Sequence, residues 1–178
     1  MKLSYAITVC NEHKEVKKLL TFLFEHKRPE DQVVVQMDND ATKEVWAACE
    51  MFESKSAAEY KLLSFELNKN FASYKNNLNK NCDGDWIFQI DADEIPNAYL
   101  IEALPFILET NPDTEAFWVP RVNTVAGITD AHIAIKPVHE QLKGYTKFAN
   151  LPAEGKFALY HPKDIGRQEH QNAFYDTI

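Results

Sequence analysis

Blocks of apolar residues with two different periods follow one another along the first 120 residues. Leu3 to Val9 (LSYAITV) is a short, mostly apolar run stopped by Asn11-Glu12-His13, the signature of a buried strand. Glu15 to Lys27 sets Val16, Leu19, Leu20, Leu23 and Phe24 on a stripe of period 3.6, which predicts an amphipathic helix closed by Pro29. Gln32 to Met37 (QVVVQM) reads as a second strand ended by Asp38-Asn39-Asp40. Thr42 to Phe52 reads as a helix with Val45, Ala48, Cys49 and Phe52 on one face. Tyr60 to Leu67 is a third strand, Ala72 to Asn81 a polar helix anchored by Leu78, and Trp86 to Ile90 a fourth strand. A helix from about Asn97 to Leu108 and a fifth strand, Glu115 to Val122 (EAFWVPRV), complete the regular part. Beyond Asn123 the pattern weakens into loops and a tail rich in His, Gln and Asn.

Strands alternating with helices predict right-handed βαβ units and a mostly parallel, Rossmann-like sheet flanked by helices, an α/β fold. No repeat or linker divides the chain, so the expectation is one domain over residues 1–178.

The strand ends carry the candidate chemistry. The run Trp86 to Ile90 stops abruptly in Asp91, Asp93 and Glu94. In an open α/β sheet, ligands bind just beyond the carboxyl ends of the strands. If the extended conformation persists through Ala92, Asp91 and Asp93 point to the same side and offer hard oxygen ligands to Mg²⁺ or Mn²⁺, with which a diphosphate could be held. A lone Asp-x-Asp is short enough to favour a plainer reading, caps for the helix starting near Pro96. Here three polar clusters, Thr8 to Glu12, Asp38 to Asp40 and Asp91 to Glu94, fall at ends that share one edge of a parallel sheet. Helix caps alone do not account for all three, and a common cleft does.

Composition narrows the chemistry. With 178 residues, 45% hydrophobic and 26% charged, the chain has the makeup of an ordinary globular protein. A formal net charge of -8 argues against nucleic acid and against anionic lipid as partners, while leaving room for an acid-rich cleft that recruits a cation. The five glycines form neither G-x-G-x-x-G nor G-x-x-x-x-G-K-[ST], so phosphates would be handled by metal and side chains. No stretch approaches a transmembrane span and no signal-peptide h-region opens the chain. Three widely spaced cysteines, Cys10, Cys49 and Cys82, fit reduced thiols in a cytoplasmic setting.

With these pieces in order, the chain resembles the family 2 glycosyltransferases of GT-A fold, most closely their short phage- and bacterium-type members. The resemblance rests on Ile7-Thr8-Val9-Cys10-Asn11-Glu12, on Val33 to Asp40, on Asn70-Phe71-Ala72-Ser73-Tyr74-Lys75-Asn76-Asn77, and on Gly84-Asp85-Trp86 followed by Asp91-Ala92-Asp93-Glu94. Later stretches, His139 to Tyr145, Ala158 to Lys163 and Arg167 to Tyr175, are similar to C-terminal signatures of small members.

The resemblance implies an inverting, metal-dependent enzyme that moves a sugar from a nucleotide-sugar, by analogy a UDP-sugar, to an acceptor hydroxyl. Thr8 and Glu12 would line the nucleotide pocket, Asp38 would accept from the base, and Asp91 would sit near the ribose. Lys75 stands where the family often has Arg, so it would reach base or phosphate as a point charge rather than a fork. Asp93, with His161, would ligate Mn²⁺ or Mg²⁺ between the phosphates, and Glu140 would act as catalytic base. Residues 1–122 would form the nucleotide-sugar-binding part and 123–178 a shortened acceptor side, since Thr124 to Val138 replaces a longer family segment. Two alternatives remain at this stage. One is a degenerate nucleotide-sugar-binding protein. The other is a nucleotidyltransferase, against which Cys10-Asn11-Glu12-His13 counts because it occupies the place of a Gly-rich basic loop.

Overall fold

The computed structural model describes residues 1–56, 58–120 and 156–160. The elements are β1 (Leu3–Val9), α1 (His13–His26), β2 (Gln32–Met37), α2 (Lys43–Glu50), β3 (Tyr60–Ser64), α3 (Phe71–Lys80), β4 (Trp86–Asp91), α4 (Ala98–Glu109), β5 (Ala116–Pro120) and β6 (Lys156–Tyr160). The strands form one sheet in the order β3-β2-β1-β4-β6-β5. The first four are mutually parallel, and β6 runs antiparallel to both β4 and β5. Parallel strands covered on both faces need apolar side chains on both, which is why β1 and β2 lack polar alternation. Every residue of β2 is buried, and in β1 all but Thr8.

Side-chain alternation along β1 sorts the two faces. Tyr5, Ile7 and Val9 join the larger core with Leu19, Leu20 and Leu23 of α1, Val45 and Cys49 of α2, and Ile101, Leu104 and Leu108 of α4. Each fully buried leucine of α1 contributes about 1.5–3 kcal/mol, so this stripe outweighs a helix start without a side-chain cap. On the other face Ala6 of β1, Val34 of β2 and Ile87 of β4 meet Leu78 of α3. Thus α3 forms the layer opposite α1 and α4.

Two sequence expectations are corrected. The third strand stops at Ser64 rather than Leu67. Phe65 N–H still donates to Met37 O, but Leu67 N–H turns to Asp38 Oδ1 at 3.4 Å, and Asn68 and Lys69 adopt left-handed φ of 44° and 57°. A strand cannot pass through that region. The stretch after Asn123, read as loops, contributes β6. The strand is joined to the sheet by antiparallel pairing with β4 and β5. In the sheet β6 lies between β4 and β5.

The amino end of β4 is locked to β1 by a polar network. Ser4 Oγ donates to Gln32 Oε1 at 3.0 Å, Gly84 N–H donates to Ser4 Oγ at 2.9 Å, and Asp83 N–H donates to Gln32 Oε1 at 3.0 Å. A Cβ at Gly84 would lie 2.6 Å from Ser4 N and 2.8 Å from Leu3 C, both backbone atoms. Gly84→Ala is therefore expected to cost about 1–3 kcal/mol, as overpacking does. The measurement is the urea midpoint at unchanged slope. A midpoint equal to that of the natural chain would mean that the start of β4 moves aside freely.

Candidate functional site

From β1 the chain builds outward through β2 and β3, then returns to place β4 on the other side of β1. The order reverses between β1 and β4, and such switch points open a crevice at the carboxyl ends of the strands. Thr8 and Asp91 are register partners at that crevice. Thr8 Oγ1 donates to Asp91 Oδ1 at 3.0 Å. Lys75 Nζ, reaching across from α3, donates to the same carboxylate oxygen at 2.8 Å and to Thr8 Oγ1 at 2.9 Å. The three groups close a triangle. The Lys75 side chain is 6% exposed and that of Asp91 57%, so the cation lies under the carboxylate and the carboxylate faces the cleft.

The direction of Lys75 is set by how α3 docks. Asn70 caps the helix, its side chain accepting from Ser73 N–H at 3.0 Å. Gln36, fully buried in β2, donates to Tyr74 O at 2.7 Å and accepts from Asn77 Nδ2 at 2.7 Å, while the Tyr74 hydroxyl donates to Gln36 O at 3.2 Å. Sequence reasoning missed this network. Its signal was present: Gln32 and Gln36 are polar breaks on one face of an otherwise apolar strand, and a buried amide requires partners. Farther along α3, the buried amide of Asn79 has no hydrogen-bond partner among the described residues.

The β1 and β2 ends meet beside this triangle. Glu12 does not cap α1 through its side chain; Oε2 accepts from Cys10 N–H at 3.0 Å and Asn11 N–H at 2.9 Å, holding the turn after β1. Asp38 is 9% exposed, and its Oδ1 accepts from Leu67 N–H and Asp40 N–H, each at 3.4 Å. Two neighbours register these acids. Burial pushes the Cys10 thiol above its ordinary range, and the charges of Asp38, Glu12 and Asp40 add to it. Burial likewise raises the Tyr74 hydroxyl, with Asp38 the next contributor.

Beyond β4 the extended conformation does not persist through Ala92. Glu94 N–H donates to Asp91 O at 3.0 Å and Asp91 N–H donates to Glu94 Oε2 at 3.0 Å, closing a turn. In it Ala92 is buried at 3% and Asp93 is exposed. Asp93 thus reaches solvent from a turn rather than from a strand. Its carboxylate is a hard oxygen donor of the kind Mg²⁺ and Mn²⁺ accept, and Mg²⁺ commonly takes one or two protein carboxylates with phosphate oxygens completing its shell. Among the described residues no cluster of three or more His, Cys, Asp or Glu is arranged to hold a metal ion. Of the remaining candidates, Glu140 and His161 lie outside the described residues. A groove between α1 and α4, lined by Lys14, Lys17, His26 and Tyr99 among others, lies in the opposite layer and includes none of these strand-end residues.

A switch-point crevice edged with Thr8, Asp38 and Asp91 places the molecule among α/β proteins that bind ligands at strand ends. The sequence profile of Glycosyl transferase family 2 matches residues 4–168, and the chain belongs to that family. No curated protein matches it significantly. TarS 1-349 of S. aureus in complex with UDP is similar at 20% identity and a TM-score of 0.60, covering 72% of this chain and 38% of that one. TarS 1-349 of S. aureus also matches at 16% identity and a TM-score of 0.66, over 95% of this chain and 49% of that one. The mannosyltransferase PcManGT of Pyrobaculum calidifontis, in complex with GDP-Man and Mn²⁺, matches at 15% identity and a TM-score of 0.62, over 93% of this chain and 46% of that one. The chain spans less than half the length of these proteins. What they share is the GT-A fold. No helix among the described residues is long and apolar enough to cross a membrane.

Proposed function

We propose that the chain transfers a sugar, with inversion, from a nucleotide-sugar to an acceptor hydroxyl, the donor being a UDP-sugar. The observation that carries this reading is the Thr8–Asp91–Lys75 triangle at the switch point, beside the anchored acids Glu12 and Asp38. Asp38 is suited to accept from an imide N–H of the base, since it is largely buried and its hydrogen bonds to Leu67 and Asp40 are long. Thr8 and Glu12 line the nucleotide pocket and Asp91 takes the ribose side. A divalent cation bound through Asp93, with His161, would neutralise the charge that develops on the leaving diphosphate. Glu140 is assigned the base that accepts the proton of the acceptor hydroxyl. Residues 1–122 form the donor part and 123–178 the acceptor side of one domain. The free thiols of Cys10, Cys49 and Cys82 fit a cytoplasmic setting.

The test is a thermal-shift panel with Mn²⁺. Relatives of this fold are seen with UDP, UDP-GlcNAc and GDP-Man, so UDP- and GDP-sugars both belong in it, with dTDP-sugars as a further comparison. At 100 times its dissociation constant the true donor should stabilise the native state by about 2.7 kcal/mol, and release of free nucleoside diphosphate should accompany it. No shift with any nucleotide would refute the reading. Binding without turnover, even with acceptor present, would make the protein a nucleotide-sugar-binding module.

A further inference from the structure

We propose that Lys75 is an internal countercharge that keeps the empty cleft from capturing a divalent cation, so that the cation enters as its complex with the nucleoside diphosphate. The inference rests on the nucleotide-sugar reading above. It deepens that reading by assigning an order of binding and the residue that imposes it.

The argument starts from where the positive charge sits. A lysine buried this deeply must keep its ammonium hydrogen-bonded and beside a counterion. Lys75 finds both in Asp91 Oδ1 and Thr8 Oγ1. The same Oδ1 also accepts from the Thr8 hydroxyl, so one oxygen of Asp91 is engaged by two donors. Gln36, Tyr74 and Asn77 fix α3 against β2, and the ammonium at the end of the buried side chain is held by Thr8 and Asp91. A bare dication at Asp93 therefore finds in Asp91, two residues before it at the start of the same turn, a carboxylate whose charge Lys75 already balances. Such a site holds a cation weakly.

A diphosphate reverses that balance. Its negative charges offset the ammonium and supply further oxygen ligands, so the same cleft that resists the free ion accepts the ion–nucleotide pair. Lys75 thereby acts on metal binding without being a ligand. It is a positioning residue and an electrostatic gate.

The experiment measures Mn²⁺ binding by the electron paramagnetic resonance of the free ion, with and without UDP, on the natural chain, Lys75→Met and Lys75→Arg. Methionine is close to the lysine stem in size and apolar, and Asp91, being more than half exposed, can regain water when its partner is lost, so the fold should persist. Circular dichroism and melting temperature check this, and Lys75→Gln serves in its place if the methionine variant fails to fold. The natural chain should bind Mn²⁺ at least about 10-fold more weakly without UDP than with it. Lys75→Met should bind Mn²⁺ alone about 10-fold more tightly than the natural chain, while Lys75→Arg, which keeps the charge, should not. Equal Mn²⁺ affinity of Lys75→Met and the natural chain overturns the inference, as does a gain in Lys75→Arg equal to that in Lys75→Met. The Mn²⁺-only arm reads this inference and the UDP arm reads the underlying function, so each fails separately.

Discussion

Asp93→Asn should bind UDP in the presence of Mn²⁺ about 100-fold more weakly than the natural chain and equally in its absence. Outer partners of metal ligands are commonly worth 10–100-fold in metal affinity, and a direct ligand stands at the upper end or beyond. Asparagine keeps the shape and one oxygen but removes the negative charge that faces the cation. The fold should not suffer, because the turn is closed by Glu94 N–H on Asp91 O and by Asp91 N–H on the Glu94 carboxylate, neither of which uses the Asp93 side chain. An exposed side chain contributes little to stability there, and surface substitutions usually stay within ±0.5 kcal/mol. Calorimetric titration of UDP into each protein, with Mn²⁺ and with chelator, reads both arms. Equal affinity of the two proteins with Mn²⁺ present would remove Asp93 from the metal site.

Asp31→Ala should lower stability by about 1–3 kcal/mol, because it leaves a buried backbone donor unsatisfied and takes a carboxylate partner from the part-exposed Arg28. Asp31 is 1% exposed and holds three donors: Leu3 N–H at 2.9 Å, Arg28 Nε at 3.0 Å and Arg28 Nη2 at 2.7 Å. It joins the loop after α1 to the first residue of β1, and Arg28 Nη2 extends the tie to Met1 O at 3.1 Å. Alanine would strand Leu3 N–H in the interior with no acceptor, and a domain of this kind has only 5–15 kcal/mol in total. Asp31→Asn keeps an acceptor for Leu3 and should cost distinctly less. Urea denaturation followed by circular dichroism measures both. A loss below about 1 kcal/mol for Asp31→Ala would show that water reaches Leu3 N–H when the carboxylate is gone.

How legible each feature was follows from how local its cause is. Asp38 and Asp91 were visible because an apolar strand run that stops in an acid is a contiguous pattern, and the parallel topology then puts those stops on one edge. Asp31 carried no such mark. In the sequence it is one acid in a short loop after Pro29, and its weight comes from Leu3 and Arg28 closing around it in space. Gly84 was noted only as part of a family-like motif, and its physical reason, backbone of Ser4 within 2.6 Å of where a Cβ would stand, needs the β1–β4 pairing. The turn at Asp91 to Glu94 defeated the extended reading because the Glu94 side chain folds back to accept from Asp91 N–H, a choice that strand periodicity does not encode.

Lys75 marks the boundary most clearly. Resemblance implies a contact to base or phosphate, and what the folded chain adds is that Lys75 donates to Asp91 and Thr8. The sequence by itself determined which segments are strands and helices across the first 120 residues, and that their polar ends line one edge, because hydrophobic period and stop signals act within a few residues. Only the tertiary structure decided that β1 stands between β2 and β4, that β6 enters between β4 and β5, and that a lysine lies beneath the exposed carboxylate of the cleft. Strand order and helix docking set those pairings, and both depend on contacts between residues far apart in the chain.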